Sequence, residues 1–106
     1  MKRGLTVWEC ASCLLTVFPR RLGCPRCGSA EWQQRAAETG VVEEATLLRR
    51  VPGRALQTPI SIGSVRLDAG PLVIARLEAV ARSGTQVELH EDGGVPVAVA
   101  ASATQG

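Results

Sequence analysis

Four cysteines form two Cys-x2-Cys pairs, ten residues apart, and they are the only thiols in this chain of 106 residues: Cys10, Cys13, Cys24 and Cys27. Each pair presents two soft thiolate ligands on one tight turn, and two such turns can converge on one zinc ion with tetrahedral geometry. Four protein ligands leave no coordination position for water or substrate. The spacing therefore predicts a structural zinc site that does not catalyse.

Two other uses of four cysteines remain open. Two disulfides are the less favoured alternative, because a Cys-x2-Cys pair rarely cross-links itself in a way that stabilises a fold. A rubredoxin-like iron centre for electron transfer also uses four thiolates. The ten-residue gap and the segment Phe18-Pro19-Arg20-Arg21 favour a zinc ribbon over iron.

Composition predicts two small regions with different sources of stability. The first third has few apolar residues, and a bound metal would replace the missing core. Most Val, Ile, Leu and Ala residues come later and suffice for a compact β domain. The predicted boundaries are a zinc ribbon over 1–37, a barrel over 38–100 and a flexible tail over 101–106.

The same composition predicts a cytoplasmic protein without a membrane segment. Residues 1–9 lack the apolar region of a signal peptide. The longest apolar stretch, Val95 to Ala101, is too short to span a membrane.

Runs of apolar residues between turn residues predict a mainly β fold. Val41 to Val51 also fits a helical face, so periodicity alone leaves helix or strand open there, and Glu78 to Arg82 could be a helical turn. A change of alternation across Gly63 predicts a bulge, and Gln34 to Gly40 is predicted to be a connector. Five later strands suggest a small closed barrel. The predicted strands are Leu5 to Glu9, Leu14 to Phe18 and Glu31 to Gln33 in the ribbon, then Val41 to Val51, Ile60 to Leu67, Leu72 to Leu77, Val87 to His90 and Val95 to Val99.

The residues that could do acid–base chemistry are few. His90 lies beside a predicted turn, Glu91-Asp92-Gly93-Gly94, and is interpreted as an exposed turn residue with no free cysteine to partner it. Glu43 and Glu44 are adjacent on a predicted strand, so their side chains point to opposite faces. No nucleophile elbow, phosphate-binding glycine loop or zinc-protease motif occurs. The sequence predicts no catalytic residue in this chain.

Charge distribution raises nucleic-acid binding as an alternative function. Residues 1–54 carry nine basic and five acidic side chains, although the whole chain has a net charge of only +2. Barrels that bind single strands usually stack bases on aromatic side chains. The three aromatic residues, Trp8, Phe18 and Trp32, all lie in or beside the ribbon. The alternative, a zinc-ribbon and OB-fold nucleic-acid-binding protein, is therefore the less favoured one.

The chain resembles the DUF35 family over roughly Trp8 to Leu89. The segment between the knuckles and the later Leu-Asp-x-Gly sequence are together the most diagnostic features. The residues that carry the resemblance are Cys10-x2-Cys13, Phe18-Pro19-Arg20, Cys24-Pro25-Arg26-Cys27-Gly28-Ser29, Trp32, Gly40-Val41-Val42, Thr46, Pro52-Gly53, Pro59, Ile62 to Val65, Leu67-Asp68-Ala69-Gly70-Pro71 and Gly84 to Val87.

This resemblance implies a fold and a function. Members pair a rubredoxin-like zinc ribbon with an OB-fold barrel and associate with thiolases and related acyl-CoA enzymes. It implies a non-catalytic subunit of a hetero-oligomer, with the catalytic residues on a thiolase-like partner. It also implies structural Zn²⁺ and coenzyme A or acyl-CoA at the interface. The candidate contacts to coenzyme A phosphates or to the partner are Arg20, Arg21, Arg26, Arg49, Arg50 and Arg54.

Overall fold

A computed structural model of the chain describes residues 2–51, 53–78 and 82–100. Over these residues it contains β-strands and no helix, so none is long and apolar enough to cross a membrane. Pro52, most of the possible helical turn at 78–82 and the predicted tail 101–106 lie outside the described residues. The strands are β1 (Lys2–Arg3), β2 (Leu5–Cys10), β3 (Thr16–Val17), β4 (Trp32–Ala37), β5 (Thr39–Val51), β6 (Arg54–Leu67), β7 (Leu72–Glu78), β8 (Gln86–Asp92) and β9 (Val95–Ala100).

A three-stranded sheet forms the ribbon, in the order β3-β2-β4. Strand β2 alternates buried Leu5 and Val7 with partly exposed residues, because one face of the sheet lies against the core. The strand ends at Cys10, which pairs with Trp32 at the start of β4. The sheet thus holds Cys10 at the end of its central strand and positions the turns that carry the other three cysteines.

The remaining strands close into a five-stranded barrel. Strand β5 pairs with β6, β6 with β7, β7 with β9, β9 with β8, and β8 returns to β5. All pairs are antiparallel except β7 with β9, which are parallel. This strand order and the single parallel pair define an OB-fold. The predicted fold class, a mainly β chain with a four-cysteine ribbon followed by a five-stranded OB-fold barrel, is confirmed.

One hydrophobic core extends from the ribbon into the barrel. Leu5 and Val7 of β2 and Ala37 of β4 belong to the same buried cluster as Val65 and Leu89 of the barrel. The backbone connects the two sheets as well, because the N–H of Gly4 donates to the carbonyl of Leu89 at 2.7 Å. The base of the ribbon is therefore part of the barrel core, whereas its cysteine end is not.

Two local predictions are wrong for identifiable reasons. The connector predicted over Gln34 to Gly40 is mostly strand, and its polar residues misled the prediction because both faces of β4 are exposed over Gln33 to Ala36. The bulge predicted at Gly63 lies instead at Glu43 on β5, where the register shifts between Val42 and Glu44. Gly63 continues the inward-facing row of β6, and the isoleucines before it point outward. The segment Val41 to Val51, which also fitted a helix, is strand.

Candidate metal centre and basic surfaces

Both Cys-x2-Cys turns have the same backbone geometry. The N–H of Leu14 donates to the carbonyl of Cys10 at 2.9 Å, and the N–H of Gly28 donates to the carbonyl of Cys24 at 2.8 Å. Leu14 and Gly28 each follow the second cysteine of their turn, and both have positive φ, 68° and 84°. The two turns are therefore equivalent structures that place different residues at the same strained position.

The first cysteine of each turn accepts hydrogen bonds at sulfur. The N–H groups of Ser12 and Cys13 lie 3.4 and 3.5 Å from the Sγ of Cys10. The N–H of Arg26 lies 3.4 Å from the Sγ of Cys24. Backbone N–H groups directed at sulfur stabilise the thiolate, which is the form that binds metal.

All four sulfur atoms lie within 4.8 Å of one another. The Sγ atoms of Cys10 and Cys27 are 3.5 Å apart and those of Cys13 and Cys24 are 3.6 Å apart, and all four cysteines are free. A tetrahedral zinc ion with metal–sulfur distances of about 2.3 Å would place its sulfurs about 3.8 Å apart. The sulfur cluster therefore fits a single tetrahedral metal ion such as zinc.

The pKa values of two thiols within this cluster are shifted in opposite directions. Hydrogen bonds from the backbone N–H of Leu15 and from the Arg26 guanidinium lower the pKa of Cys13 to about 6. The backbone N–H of Ser29 lowers the pKa of Cys27. The hydrogen bond between Cys27 and Cys10, the burial of the thiol and the sulfurs of Cys13 and Cys24 together outweigh this effect and raise the pKa of Cys27 to about 12. Four thiolates this close repel one another, so a bound cation would be needed for all four to ionise.

Arg26 is the candidate arginine in direct contact with the cysteine turns. The Nη2 of Arg26 donates to the carbonyl of Cys13 at 2.8 Å. The pKa of Arg26 is raised first by its hydrogen bond with the Cys13 side chain and then by the negative charge of the Cys13 thiolate. Four thiolates with one zinc ion would carry a net charge of about −2. A guanidinium held at this point would offset part of that charge.

The other two ribbon arginines lie in the exposed loop between β3 and β4. The guanidinium carbon of Arg20 lies 5.1 Å from the centroid of the Trp8 ring, within cation–π distance. Arg21 and the adjacent Leu22 are exposed, and Leu22 is 97% accessible. All three of these arginines are exposed, but Arg26 is held by its hydrogen bond to Cys13 and Arg20 by its contact with the Trp8 ring.

The remaining three candidates lie on a long hairpin. Strand β8 pairs with β5 only over 39–41, and β7 pairs with β6 only over 62–66. Residues 47–60, which we call the β-arm, extend beyond both of these pairings. The β-arm carries exposed Arg49, Arg50 and Arg54. The structure thus divides the six candidate arginines between two separate elements.

Two of the carboxylates considered for acid–base chemistry, Glu43 and Asp92, form surface ion pairs. Glu43 accepts from Arg66 at 2.8 Å, and its pKa is lowered first by that hydrogen bond. Asp92 accepts from Arg76 at 3.3 Å. The turn predicted over 91–94 is confined to its two glycines, since Glu91 and Asp92 belong to β8. These contacts are typical of a solvated barrel surface.

His90 was predicted to be an exposed turn residue, and that prediction is wrong. It lies within β8, pairs with Val97 of β9 and Arg3 of β1, and its side chain is 18% exposed. Its Nε2 is 3.9 Å from a carboxylate oxygen of Glu88. No cysteine outside the metal cluster exists to partner it.

The structure also shows two surface features that were not predicted. An open groove of about 730 Å³ lies on the outer face of the barrel, with Glu43, Ile62, Ile74 and Arg82 among its lining residues. The second feature is the β-arm itself. A sequence signal for the arm exists, because no acidic residue occurs over 45–67 and the strand run at 41–51 is longer than a small barrel needs.

A closed barrel with one parallel strand pair, preceded by a four-cysteine ribbon on the same core, defines a ribbon and OB-fold protein. The family model described as the C-terminal OB-fold domain of ChsH2 matches residues 32–92, which is more than half of the chain. The chain belongs to this family, within the DUF35 proteins.

Two solved structures have the same fold. The Ltp2-ChsH2(DUF35) aldolase is 28% identical with a TM-score of 0.75, over 92% of this chain and 85% of that chain. A DUF35 protein of unknown function from Sulfolobus solfataricus is 15% identical with a TM-score of 0.65, over 92% of this chain and 75% of that chain. The second likeness concerns the fold alone.

A curated protein is also similar in sequence. The probable enoyl-CoA hydratase alpha subunit of Thermomonospora curvata is 31% identical over 81 residues. The match covers 76% of this chain and 25% of that protein, so the chain spans a quarter of the length of this relative.

Proposed function

We propose that this chain is a zinc-containing, non-catalytic subunit of an enzyme complex that acts on acyl-CoA substrates. The observation that supports this most is its likeness to the Ltp2-ChsH2(DUF35) aldolase over 92% of the chain. The similarity to a probable enoyl-CoA hydratase alpha subunit supports the acyl-CoA class.

In this proposal, Cys10, Cys13, Cys24 and Cys27 hold a structural zinc ion that cross-links the two turns. The zinc is coordinatively closed, so it supplies rigidity and no Lewis acid for substrate. All thiols of the chain are in this cluster. Any cysteine nucleophile of the complex therefore belongs to a partner subunit.

The more specific hypothesis is a thiolase-type partner in the cytoplasm. Thiolases cleave a 3-oxoacyl-CoA through a cysteine thiolate, an acid–base group and an oxyanion site. The four thiols of this chain all lie in the metal cluster, so none is available as such a nucleophile. The candidate we favour among such complexes is the benzoylsuccinyl-CoA thiolase of anaerobic toluene degradation, in which this chain would be the small subunit.

Coenzyme A contact is part of the same hypothesis. Guanidinium groups bind phosphate oxygens in bidentate geometry, and the ribbon and the β-arm both expose them. Arg20, Arg21 and Arg26 would act from the ribbon, and Arg49, Arg50 and Arg54 from the arm. Each group would contact either the phosphates of coenzyme A or the partner protein at the interface.

Co-purification from the native host, followed by mass spectrometry, tests the proposal. We expect the tagged chain to recover one acyl-CoA enzyme subunit in stoichiometric amount, with about one zinc per chain. His90→Gln should leave the activity of that complex unchanged, because His90 has no catalytic role in the proposal. Recovery of nucleic acid alone, with a steep salt dependence of oligonucleotide binding, would contradict it.

A further inference from the structure

The β-arm has no strand neighbour on either outer side. Within the described residues, the strand pairings of the arm join β5 to β6, from Leu47 with Ser61 at its base to Val51 with Arg54 at its tip, and none joins it to another strand. The β5 leg has five residues, 47–51, which extend about 17 Å at about 3.3 Å per residue, and the β6 leg has seven because the register shifts between Leu48 and Arg50. The arm therefore projects from the barrel instead of folding onto it.

An isolated two-stranded hairpin has only marginal stability in water. This one exposes both strand edges, and Leu47 at its base is 49% accessible. Unpaired edges with exposed apolar side chains are costly unless another surface covers them. The arm thus has the properties of a segment that is completed by a partner.

The charge of the arm defines the chemistry of that partner. Arg49, Arg50 and Arg54 give it three positive charges, and no acidic residue occurs between Glu44 and Asp68. Arg50 pairs with Ala55, whereas Arg54 pairs with Val51. This one-residue offset puts Arg50 and Arg54 on opposite faces of the hairpin. A single phosphate cannot meet both faces, but a protein cleft that encloses the hairpin can.

We propose that the β-arm inserts into an acidic cleft on the acyl-CoA enzyme subunit and is the main docking element of this chain. The proposal rests on the proposed function, because that function supplies the partner. Carboxylates on both walls of the cleft bind the arginines, and the exposed apolar base of the arm packs at its entrance. Electrostatic attraction of this kind speeds association and weakens with added salt.

The test measures the affinity of the purified chain for the subunit recovered by co-purification, at low and high salt. The variant carries Arg49→Glu, Arg50→Glu and Arg54→Glu. A matched control carries Lys2→Glu, Arg3→Glu and Arg82→Glu, which makes the same change in net charge at exposed positions away from the arm. Zinc content and urea midpoint of both variants report folding.

We expect the arm variant to bind at least about 100-fold more weakly and the control to stay within about threefold of the unmodified chain. Equal affinity of the arm variant, or equal loss in both variants, would overturn the docking proposal while leaving the proposed function standing. Binding of coenzyme A alone through the same arginines would also overturn it. If the unmodified chain recovers no acyl-CoA enzyme subunit, the proposed function itself fails.

Discussion

The cysteine end of the ribbon and the barrel depend on different interactions. In residues 10–30, the buried apolar side chains are Cys10, Val17 and Cys24, two of which are candidate metal ligands. Each of the five barrel strands contributes buried aliphatic side chains, such as Val65 on β6 and Leu89 on β8. A structural zinc contributes roughly 10 to 16 kcal/mol to zinc-finger peptides, whereas one buried Val or Leu contributes about 1.5 to 3. One ion can therefore replace a core in a region too small to build one.

The comparison also shows where the two regions separate. Leu5 and Val7 join the barrel core, so the base of the ribbon does not depend on metal. In the loop between the turns, Phe18 also packs against the barrel core, so the two cysteine turns depend on the metal most. Loss of metal should unfold one end of the molecule and leave the rest intact.

The largest expected effect comes from breaking the cysteine cluster. Cys24→Ser, or a strong chelator, should abolish zinc binding and the backbone order of the two cysteine turns, because Phe18, which packs against the barrel core, lies outside both turns. Hydrogen exchange should show lost protection at Ala11 and Gly28 and unchanged protection at Leu89.

Ala11→Ser is the matched control, since Ala11 is exposed in the other turn. It should retain zinc. Equal loss of protection in ribbon and barrel would show that the two regions do not separate as described. A coloured, redox-active preparation would show that the bound metal is iron and not zinc.

The second-largest expected effect comes from a substitution that destabilises the barrel without removing the metal. A Cβ on Gly63 would lie 2.9 Å from the Cδ1 of Leu77 and closer still to the carbonyl oxygen of Glu44. Gly63→Ala should lower the free energy of unfolding by about 3 kcal/mol, measured by urea denaturation, with zinc retained.

Gly23→Ala is the control for this change. Its added Cβ would meet the carbonyl oxygen of Gly28 at 3.7 Å, an ordinary contact. It should change the free energy of unfolding by less than about 0.5 kcal/mol. If both variants behaved alike, close packing at Gly63 would not be what sets the barrel geometry.

A smaller effect compares the two equivalent turn positions. Leu14→Gly should stabilise the ribbon by about 0.5 to 1 kcal/mol, because glycine adopts positive φ without strain and Leu14 is 64% exposed. Gly28→Ala should destabilise it by about 1 kcal/mol for the converse reason. Zinc competition with a chromophoric chelator reads both changes, and the same sign for both would refute the equivalence of the turns.

The smallest effect concerns the ion pair on the barrel surface. Arg66 lowers the pKa of Glu43 from its ordinary value of 4.5, so the charged carboxylate is favoured in the folded state. Its contribution is present above pH 4.5 and is lost as the pH falls through the lowered pKa. Glu43→Gln should therefore show a slightly weaker loss of stability below pH 4.5 than the unmodified chain in urea melts, and identical acid profiles would exclude the pair as a contributor.

Local patterns in the sequence predicted much of this structure. The cysteine spacing indicates two tight turns, and alternation over 87–90 identifies β8, whose Val87 and Leu89 face the core. The strand predicted over 95–99 is present as β9, but its core-facing residues are Ala98 and Ala100 instead of the valines. The sequence does not show that Leu14 must adopt positive φ, since only its equivalence to Gly28 in three dimensions requires it.

The position of the bulge could not be predicted, because apolar residues on the outer face produce the same sequence pattern as a shift in the alternation. Ile62 lies on the outer face beside the groove, so the alternation seemed to shift at Gly63 when the extra residue was Glu43 on the neighbouring strand. The sequence pattern of the β-arm is also that of an ordinary barrel strand. Strand propensity does not depend on whether a neighbouring strand is present.

Reconstitution of activity tests the central claim most directly. The purified chain and the acyl-CoA enzyme subunit recovered with it are assayed separately and together for turnover of that subunit's acyl-CoA substrate. We predict no turnover by this chain alone and the highest turnover by the complex. Turnover of any acyl-CoA by this chain alone would contradict the claim that it is a non-catalytic subunit.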